Sequence, residues 1–322
     1  MTRTNWKISE IEKIYHKPLM ELMSEAVSVH KQHFKPGEIL VCSLISIKTG
    51  GCSEDCSYCS QSAKYDTSLK PHKLLDTEEV VNAAAEAKTK GANRFCMGAA
   101  WRELRDNRDL EKITTMVEAI AGMGMEVCCS LGMVSKELAI KLKKAGLTAY
   151  NHNLDTSAEY YENVVSTRNY MDRLETLKNI REAGINICSG GILGLGESNE
   201  DRISMIHTFA TMPIHPESVP VNILVPIKGT PLENVEKITI WETLRVIATM
   251  RMVMPASRIR LAAGRSSLSE SEQALCFMAG ANSIFSGEKL LTTPNTKLTK
   301  DQELFKNLGF QNAKPETTEE QI

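Results

Sequence analysis

Short apolar runs alternate with stretches of helical periodicity along most of this 322-residue chain, and that alternation limits its fold more than any other feature. The runs occupy 39–47, 94–97, 126–131, 149–154, 186–189, 221–225, 259–261 and 283–285. Helical periodicity fills the gaps at 110–121, 135–145, 170–183, 200–211, 238–253 and 269–279. A further helix opens at Asp76, which can cap it with Glu79 at the third helical position, and ends at Gly91. Strand–helix units repeating at roughly 25–35 residues imply parallel strands joined by helical crossovers. Eight such units are what a closed (β/α)8 TIM-type barrel needs. An open doubly wound sheet is the alternative; short strands and the count of eight favour the barrel.

The flanks read differently. Residues 1–36 place Ile8, Ile11 and Ile14, then Leu19, Leu22, Met23, Ala26 and Val27, at helical spacing, interrupted by Pro18. They are expected to form an N-terminal helical cap on a barrel spanning 37–308. Residues 309–322 have almost no apolar content and are expected to be a flexible, disordered tail. A hydrophobic content of 42% allows a core large enough for a barrel. The net charge of −2 gives no basic footprint for nucleic acid. No apolar run is long enough for a membrane span, and the N-terminus lacks the apolar stretch of a secretory signal. A cytoplasmic protein is expected. Nine cysteines (42, 52, 56, 59, 96, 128, 129, 188, 276) are an odd number for a disulfide framework, so metal or redox chemistry explains most of them better.

Three of the nine lie in Gly50-Gly51-Cys52-Ser53-Glu54-Asp55-Cys56-Ser57-Tyr58-Cys59, a C-x3-C-x2-C loop just after the first apolar run. A four-iron cube normally takes one thiolate per iron. Three thiolates would leave one iron open, which makes it a reaction site. A zinc knuckle fits less well, because structural zinc sites prefer paired C-x2-C units and no second pair follows. The spacing, with Tyr58 before the last cysteine, resembles the radical S-adenosylmethionine superfamily, in which the methionine moiety chelates the open iron.

Strand parity points to a second group of donors. Successive side chains in a strand alternate between faces, and the large apolar residues should face the outer helices. Phe95 and Met97 then point out and Cys96 in; Val127 and Cys129 out, and Glu126, Cys128 and Ser130 in; Ile187 out and Cys188 in; Ile259 and Leu261 out and Arg260 in. Asn151, Asn153 and Asp155 share one face opposite Tyr150 and Leu154, and Asn222 faces in. A barrel interior is usually filled by branched apolar residues. This one would hold three thiols, an arginine, asparagines and carboxylates, which buried must be paired or liganded. Those three thiols could hold a second metal centre, with Arg260 as a counter-charge to an anionic cluster or to a carboxylate. Cys42, Cys129 and Cys276 read as small core hydrophobes, and His152 as a structural residue on an outward face. The glycines of 190–196 lack the dinucleotide-binding register and suit close backbone approach to an adenine.

Five stretches carry a closer resemblance: Arg94-Phe95-Cys96-Met97-Gly98-Ala99-Ala100-Trp101, Tyr150-Asn151-His152-Asn153-Leu154-Asp155-Thr156, Cys188-Ser189-Gly190-Gly191, Arg260-Leu261-Ala262-Ala263-Gly264-Arg265 and Leu290-Leu291-Thr292-Thr293-Pro294. Together, over about 39–310, they resemble the biotin synthase family. The resemblance implies a 4Fe-4S cluster on Cys52, Cys56 and Cys59, and a deeper 2Fe-2S cluster on Cys96, Cys128, Cys188 and Arg260. It implies S-adenosyl-L-methionine at Tyr58, Ala100, Asn153, Asp155, Arg173 and Ile192, and dethiobiotin at Asn153, Asn222, Thr292 and Thr293. The implied reaction is cleavage of S-adenosylmethionine to a 5′-deoxyadenosyl radical, hydrogen abstraction from dethiobiotin, and sulfur insertion from the two-iron cluster. A flavodoxin-type or ferredoxin-type electron donor and a homodimer are implied too. Gly51 and Ser53 stand where the family pattern has Ala and Pro, and Cys129 adjoins a ligand position; neither removes a ligand. Lipoyl synthases would need a further N-terminal cysteine triplet and methylthiotransferases an added cluster domain, and only Cys42 precedes Cys52. A non-catalytic iron–sulfur scaffold would not need the polar lining.

Overall fold

The computed structural model describes residues 2–313. Its centre is a ring of parallel strands: β1 (Glu38–Lys48), β2 (Arg94–Ala99), β3 (Glu126–Ser130), β4 (Ala149–Asn151), β5 (Asn186–Cys188) continued by β6 (Gly191–Leu193), β7 (Ser218–Ile223), β8 (Arg258–Leu261) and β9 (Ser283–Phe285). Neighbours pair in sequence order, and β9 pairs back to β1 through Leu40↔Ser283 and Cys42↔Phe285. The ring is therefore a closed eight-stave (β/α)8 barrel, as the strand count implied. The fifth stave is split because the chain passes very close to β7: a Cβ on Gly190 would lie 1.9 Å from the Pro220 carbonyl oxygen. Only glycine fits there.

Helices α3 (Thr77–Thr89), α4 (Arg108–Gly122), α5 (Lys136–Lys144), α6 (Tyr170–Glu182), α7 (Asn199–Ala210), α8 (Ile240–Val253) and α9 (Glu270–Met278) follow the strands. Reciprocal caps start several of them: Asn169 with Asp172, Ser198 with Asp201, Thr239 with Glu242, and Ser269 with Glu272. Each satisfies two backbone donors that a helix start leaves open. Asp76 does sit at the N-cap of α3, yet its side chain makes no capping bond. Its carboxylate faces solvent and lies 3.5 Å from Lys112 Nζ instead.

The apolar core has two layers in the barrel and a third cluster, with Cys56, Tyr161 and Ile192, beside the cysteine loop. The large outer one lies between strands and helices and includes Phe95, Met97, Val127, Cys129, Tyr150, Ile187, Ile259 and Leu261, all outward-facing as parity required. A small inner one holds Leu40, Cys42, Cys96, Cys128, Ala149 and Cys188. The N-terminal helices α1 (Ile8–Tyr15) and α2 (Leu19–His33), separated at Pro18, pack on α7 and α8. Tyr15 Oη donates to Asn199 Oδ1 at 3.0 Å, and Arg245 Nη1 donates to Lys17 O at 2.7 Å.

Several elements depart from the sequence expectation, among them β4, which ends at Asn151, and β6, which was not expected. Strand β7 starts at Ser218, before Pro220, rather than after it. A helix not anticipated, α10 (Leu298–Leu308), buries Leu304 and Asp301 and ends at Gly309, whose φ of +70° closes it. The expected tail does not begin at 309, because β10 (Gln311–Asn312) pairs with β1 and the Ala313 carbonyl accepts from Asn93 Nδ2 at 2.8 Å. The remainder of that tail, 314–322, lies outside the described residues. Among the described residues no helix is long and apolar enough to cross a membrane.

Candidate metal and cofactor site

One cavity of about 320 Å³ opens at the C-terminal ends of the barrel strands. All sixteen residues expected at the site line it: Cys52, Cys56, Tyr58, Cys59, Cys96, Ala100, Cys128, Asn153, Asp155, Arg173, Cys188, Ile192, Asn222, Arg260, Thr292 and Thr293. None is contributed by α1 or α2.

The cysteine loop at the mouth is held by its own backbone. Cys52 N donates to Gln61 O at 2.9 Å, Ala63 N to Cys52 O at 2.7 Å, and Cys59 N to Cys56 O at 2.9 Å. Asp55 ties the loop to the segment after Val165, accepting from Ser166 N at 2.9 Å and Thr167 N at 3.2 Å. Burial pushes the Asp55 carboxyl up, but the Ser166 and Thr167 bonds outweigh it and carry its pKa to about 2. Burial raises the Cys56 thiol to about 12 and the Cys59 thiol to about 11. Burial disfavours the charged form of each thiol, and for Cys56 it outweighs the opposing pull of the Arg168 and Arg173 guanidinium groups; a bound cluster would favour the thiolate, which is the ligand form.

Two residues not anticipated from sequence attend this loop. Arg168 Nη2 donates to Cys56 Sγ at 3.6 Å and its Nε donates to Tyr161 Oη at 3.1 Å. Glu54, 3% exposed, lies 3.9 Å from Arg168 Nη1 and 3.3 Å from Arg102 Nη1, and accepts from the Thr167 hydroxyl. The contact to Cys56 spans 112 positions and has no local signature.

Beside the loop, Asp155 accepts from Tyr58 Oη at 3.1 Å and pairs with Arg173. Arg173 Nε also donates to Tyr161 Oη at 2.9 Å. Asp155 has φ +69°, a left-handed conformation that aspartate tolerates better than most residues. Asn153 Oδ1 accepts from Gly190 N at 3.2 Å, and Ile192 N donates to Asp155 O at 2.8 Å, so the 190–192 glycine turn and the Asp155 turn brace one another. Lys48 Nζ holds Ala100 O at 2.8 Å. Asn222 bridges Gly191 O (3.0 Å) and Ala263 N (3.2 Å), and Thr292 Oγ1 accepts from Ser60 at 3.1 Å. His152, expected on an outward face, is 3% exposed at the cavity edge, and its Nε2 has no partner. The regular strand ends at Asn151, so parity no longer governs the residue after it.

The inner donors sit deeper. Register aligns Cys96 with Cys128 across β2–β3 and Asn151 with Cys188 across β4–β5. Arg260 is fully buried; its Nη1 donates to Cys188 Sγ at 3.5 Å, its Nε to Ser283 Oγ at 3.0 Å, and its Nη2 has no partner. Hydrogen bonds from Cys188 and Cys96 hold the Cys128 thiol well below its usual range, and the same bonds push those two thiols up. Cys42, expected as a core hydrophobe, belongs to this layer too.

Among the described residues no three His, Cys, Asp or Glu side chains converge tightly enough for one metal ion. A mononuclear zinc site needs its donors around one point, whereas a cluster spreads them over several irons. Two sets of soft thiols, one at the mouth and one in the interior, fit the second description. So does a buried arginine nitrogen with nothing to bond, since a buried polar group without a partner is costly.

Comparison with known proteins bears on the family of the chain. The family model described as "Radical SAM superfamily" matches residues 46–209, and that described as "Biotin and Thiamin Synthesis associated domain" matches 220–311. A biotin synthase of Cytophaga hutchinsonii is 58% identical over 308 residues, covering 96% of this chain and 91% of the relative. A mitochondrial biotin synthase of Arabidopsis thaliana is 57% identical over 309 residues, covering 96% and 82%. Among solved structures, a methylornithine synthase superposes with a TM-score of 0.81 at 18% identity, covering 96% of this chain and 94% of its own. At that identity the likeness concerns the fold alone.

Proposed function

The chain belongs to the biotin synthase family of the radical S-adenosylmethionine superfamily, and on that premise we propose how its cavity divides among two iron–sulfur clusters and two organic ligands. The family's reaction is the insertion of sulfur into dethiobiotin to give biotin, so the chain is a sulfur-transferring enzyme that uses S-adenosylmethionine and iron–sulfur chemistry.

In this reading Cys52, Cys56 and Cys59 hold the 4Fe-4S cluster, and Cys96, Cys128, Cys188 and Arg260 the 2Fe-2S cluster. When bound, these groups and S-adenosylmethionine supply the one-electron cleavage chemistry and the sulfur that the product gains. The chain's own work is orientation and exclusion. Arg173 presents a guanidinium suited to the carboxylate of the methionine moiety. Asp155 and Asn153 offer acceptors and donors for ribose hydroxyls, with Tyr58, Ala100 and Ile192 packing the rest of the nucleoside. Asn153, Asn222, Thr292 and Thr293 present polar atoms to the ureido ring and carboxylate of dethiobiotin. Apolar neighbours such as Leu291 and Val225 keep water from the reacting atoms. Fixing the reactants in one pocket removes the entropy of bringing them together.

What carries the reading is that sixteen residues drawn from loops, strands and helix α6 line one cavity, thiols at both its mouth and its floor. A flavodoxin-type or ferredoxin-type electron donor and a homodimer belong to the same proposal. A cytoplasmic setting is proposed because nine free cysteines suit a reducing compartment. The test separates the two clusters: Cys56→Ala should abolish 5′-deoxyadenosine formation, whereas Cys188→Ala should abolish biotin and keep the four-iron cluster. Normal biotin yield from Cys188→Ala would refute the sulfur-donor assignment.

A further inference from the structure

The inner layer contains one thiol more than the proposed two-iron site uses. Cys42 is fully buried and packs with Cys96, Cys128 and Cys188 in a single cluster. It lies just behind the cavity lining, on the inward face of β1 with Leu40 and Leu44. Leu44 pairs with Cys96 across β1–β2. One hydroxyl links Cys42 to the arginine: Ser283 Oγ lies 3.9 Å from Cys42 Sγ and accepts from Arg260 Nε at 3.0 Å. Ser283 itself donates to Leu40 O at 2.9 Å, which fixes it between the two. The unpartnered Arg260 Nη2 is in the same sealed layer.

A two-iron cluster has four protein ligand positions. This interior offers five candidate donors for them: four thiols and a guanidinium. Guanidinium is almost always protonated and is a poor metal ligand, whereas thiolate is a preferred ligand for iron–sulfur clusters. A cysteine has a single side-chain torsion with three staggered wells, so its sulfur can be re-aimed without moving the strand.

We propose that Cys42 is a reserve thiolate for the interior iron–sulfur site, able to take the position that Arg260 otherwise fills. The exchange balances: the thiol proton leaves as the sulfur–iron bond forms and goes to the guanidine nitrogen whose bond to iron breaks. Neither net charge nor electron count changes. The inference rests on the two-cluster reading of the cavity, and its test tells the two apart.

The test counts iron in the anaerobically reconstituted full chain and records 57Fe Mössbauer spectra. Wild type and Cys42→Ser should each hold ~6 irons, four at the mouth and two inside. Arg260→Met should also hold ~6, with its two interior irons now spectroscopically equivalent because each carries two thiolates. Arg260→Met/Cys42→Ser should fall to ~4, losing only the interior pair. The retained four-iron signal shows that each variant is folded, and Arg260→Met/Cys42→Ala serves as a second version should the serine variant precipitate. Retention of ~6 irons by the double variant, or ~4 in Arg260→Met alone, overturns the role of Cys42. A count of ~4 in wild type overturns the interior site itself.

Discussion

Replacing Arg168 by Met should make the mouth cluster harder to reduce, by an amount that the geometry sets. Arg168 Nη2 lies 3.6 Å from Cys56 Sγ. At that distance a full unit charge on sulfur would interact by ~4–5 kcal/mol at an effective dielectric of ~20. A reducing electron shared over a four-iron cluster places roughly a quarter of its charge near any one ligand, leaving ~1 kcal/mol. With ~59 mV per tenfold change for a one-electron couple, that is a shift of ~40–60 mV to more negative potential. Glu54 strengthens the effect, because Arg168→Met leaves its buried carboxylate facing Arg102 alone. Glu54→Gln should therefore shift the potential the opposite way. The assay is a redox titration followed by the electron paramagnetic resonance signal of the reduced cluster, with iron content matched between variants. A positive shift in Arg168→Met, or one under ~10 mV, would show that the guanidinium does not act electrostatically on the cluster.

Two further outcomes concern stability. Arg265 and Asp301 are each 1% exposed and paired by two bonds of 2.7 and 3.0 Å, although burial still holds the Asp301 carboxyl above its usual range. Asp301→Ala leaves the Arg265 charge buried and should cost ~3–5 kcal/mol in chemical denaturation of the cluster-free protein; a loss under ~1 kcal/mol contradicts this. His30 stacks on Phe34, and burial, then Arg251, Arg258 and His33, lower its pKa from 6.5 to about 4. A histidine held neutral by the fold imposes no penalty above the unfolded value, and the protein loses stability as pH falls from 6.5 toward 4. His30→Gln should remove that part of the acid sensitivity, read as a smaller drop in melting temperature between pH ~7 and ~5; an unchanged drop would assign the acid sensitivity to other groups.

The parts of the site legible in the sequence share a physical cause. Cys96, Cys128, Cys188 and Arg260 are flanked by large apolar residues on one face only, so alternation alone aims them inward. In β1 both faces are apolar, Leu40 and Leu44 inside and Val41 and Ile45 outside, and parity could not orient Cys42. Arg168 and Glu54 were missed because their partners are set by the docking of the 155–169 segment onto the cysteine loop, through Ser57 N to Val164 O at 2.9 Å and the Asp55 bonds. The pairing of Gln311–Asn312 with β1 uses backbone groups only, which any polar sequence can supply. Helix α10 was overlooked although Gly309 marks its end. The eight-stave count, by contrast, follows from repeated strand–helix spacing, which every stave reinforces.

The most direct measurement is a single anaerobic reaction. Protein reconstituted with iron and sulfide, both clusters verified, is given S-adenosylmethionine, dethiobiotin and a one-electron reductant, and 5′-deoxyadenosine and biotin are followed together by mass spectrometry. Both products should appear. Deoxyadenosine without biotin would contradict the assignment of dethiobiotin and the interior sulfur source, and neither product would contradict the reading of the cavity as a radical-generating site.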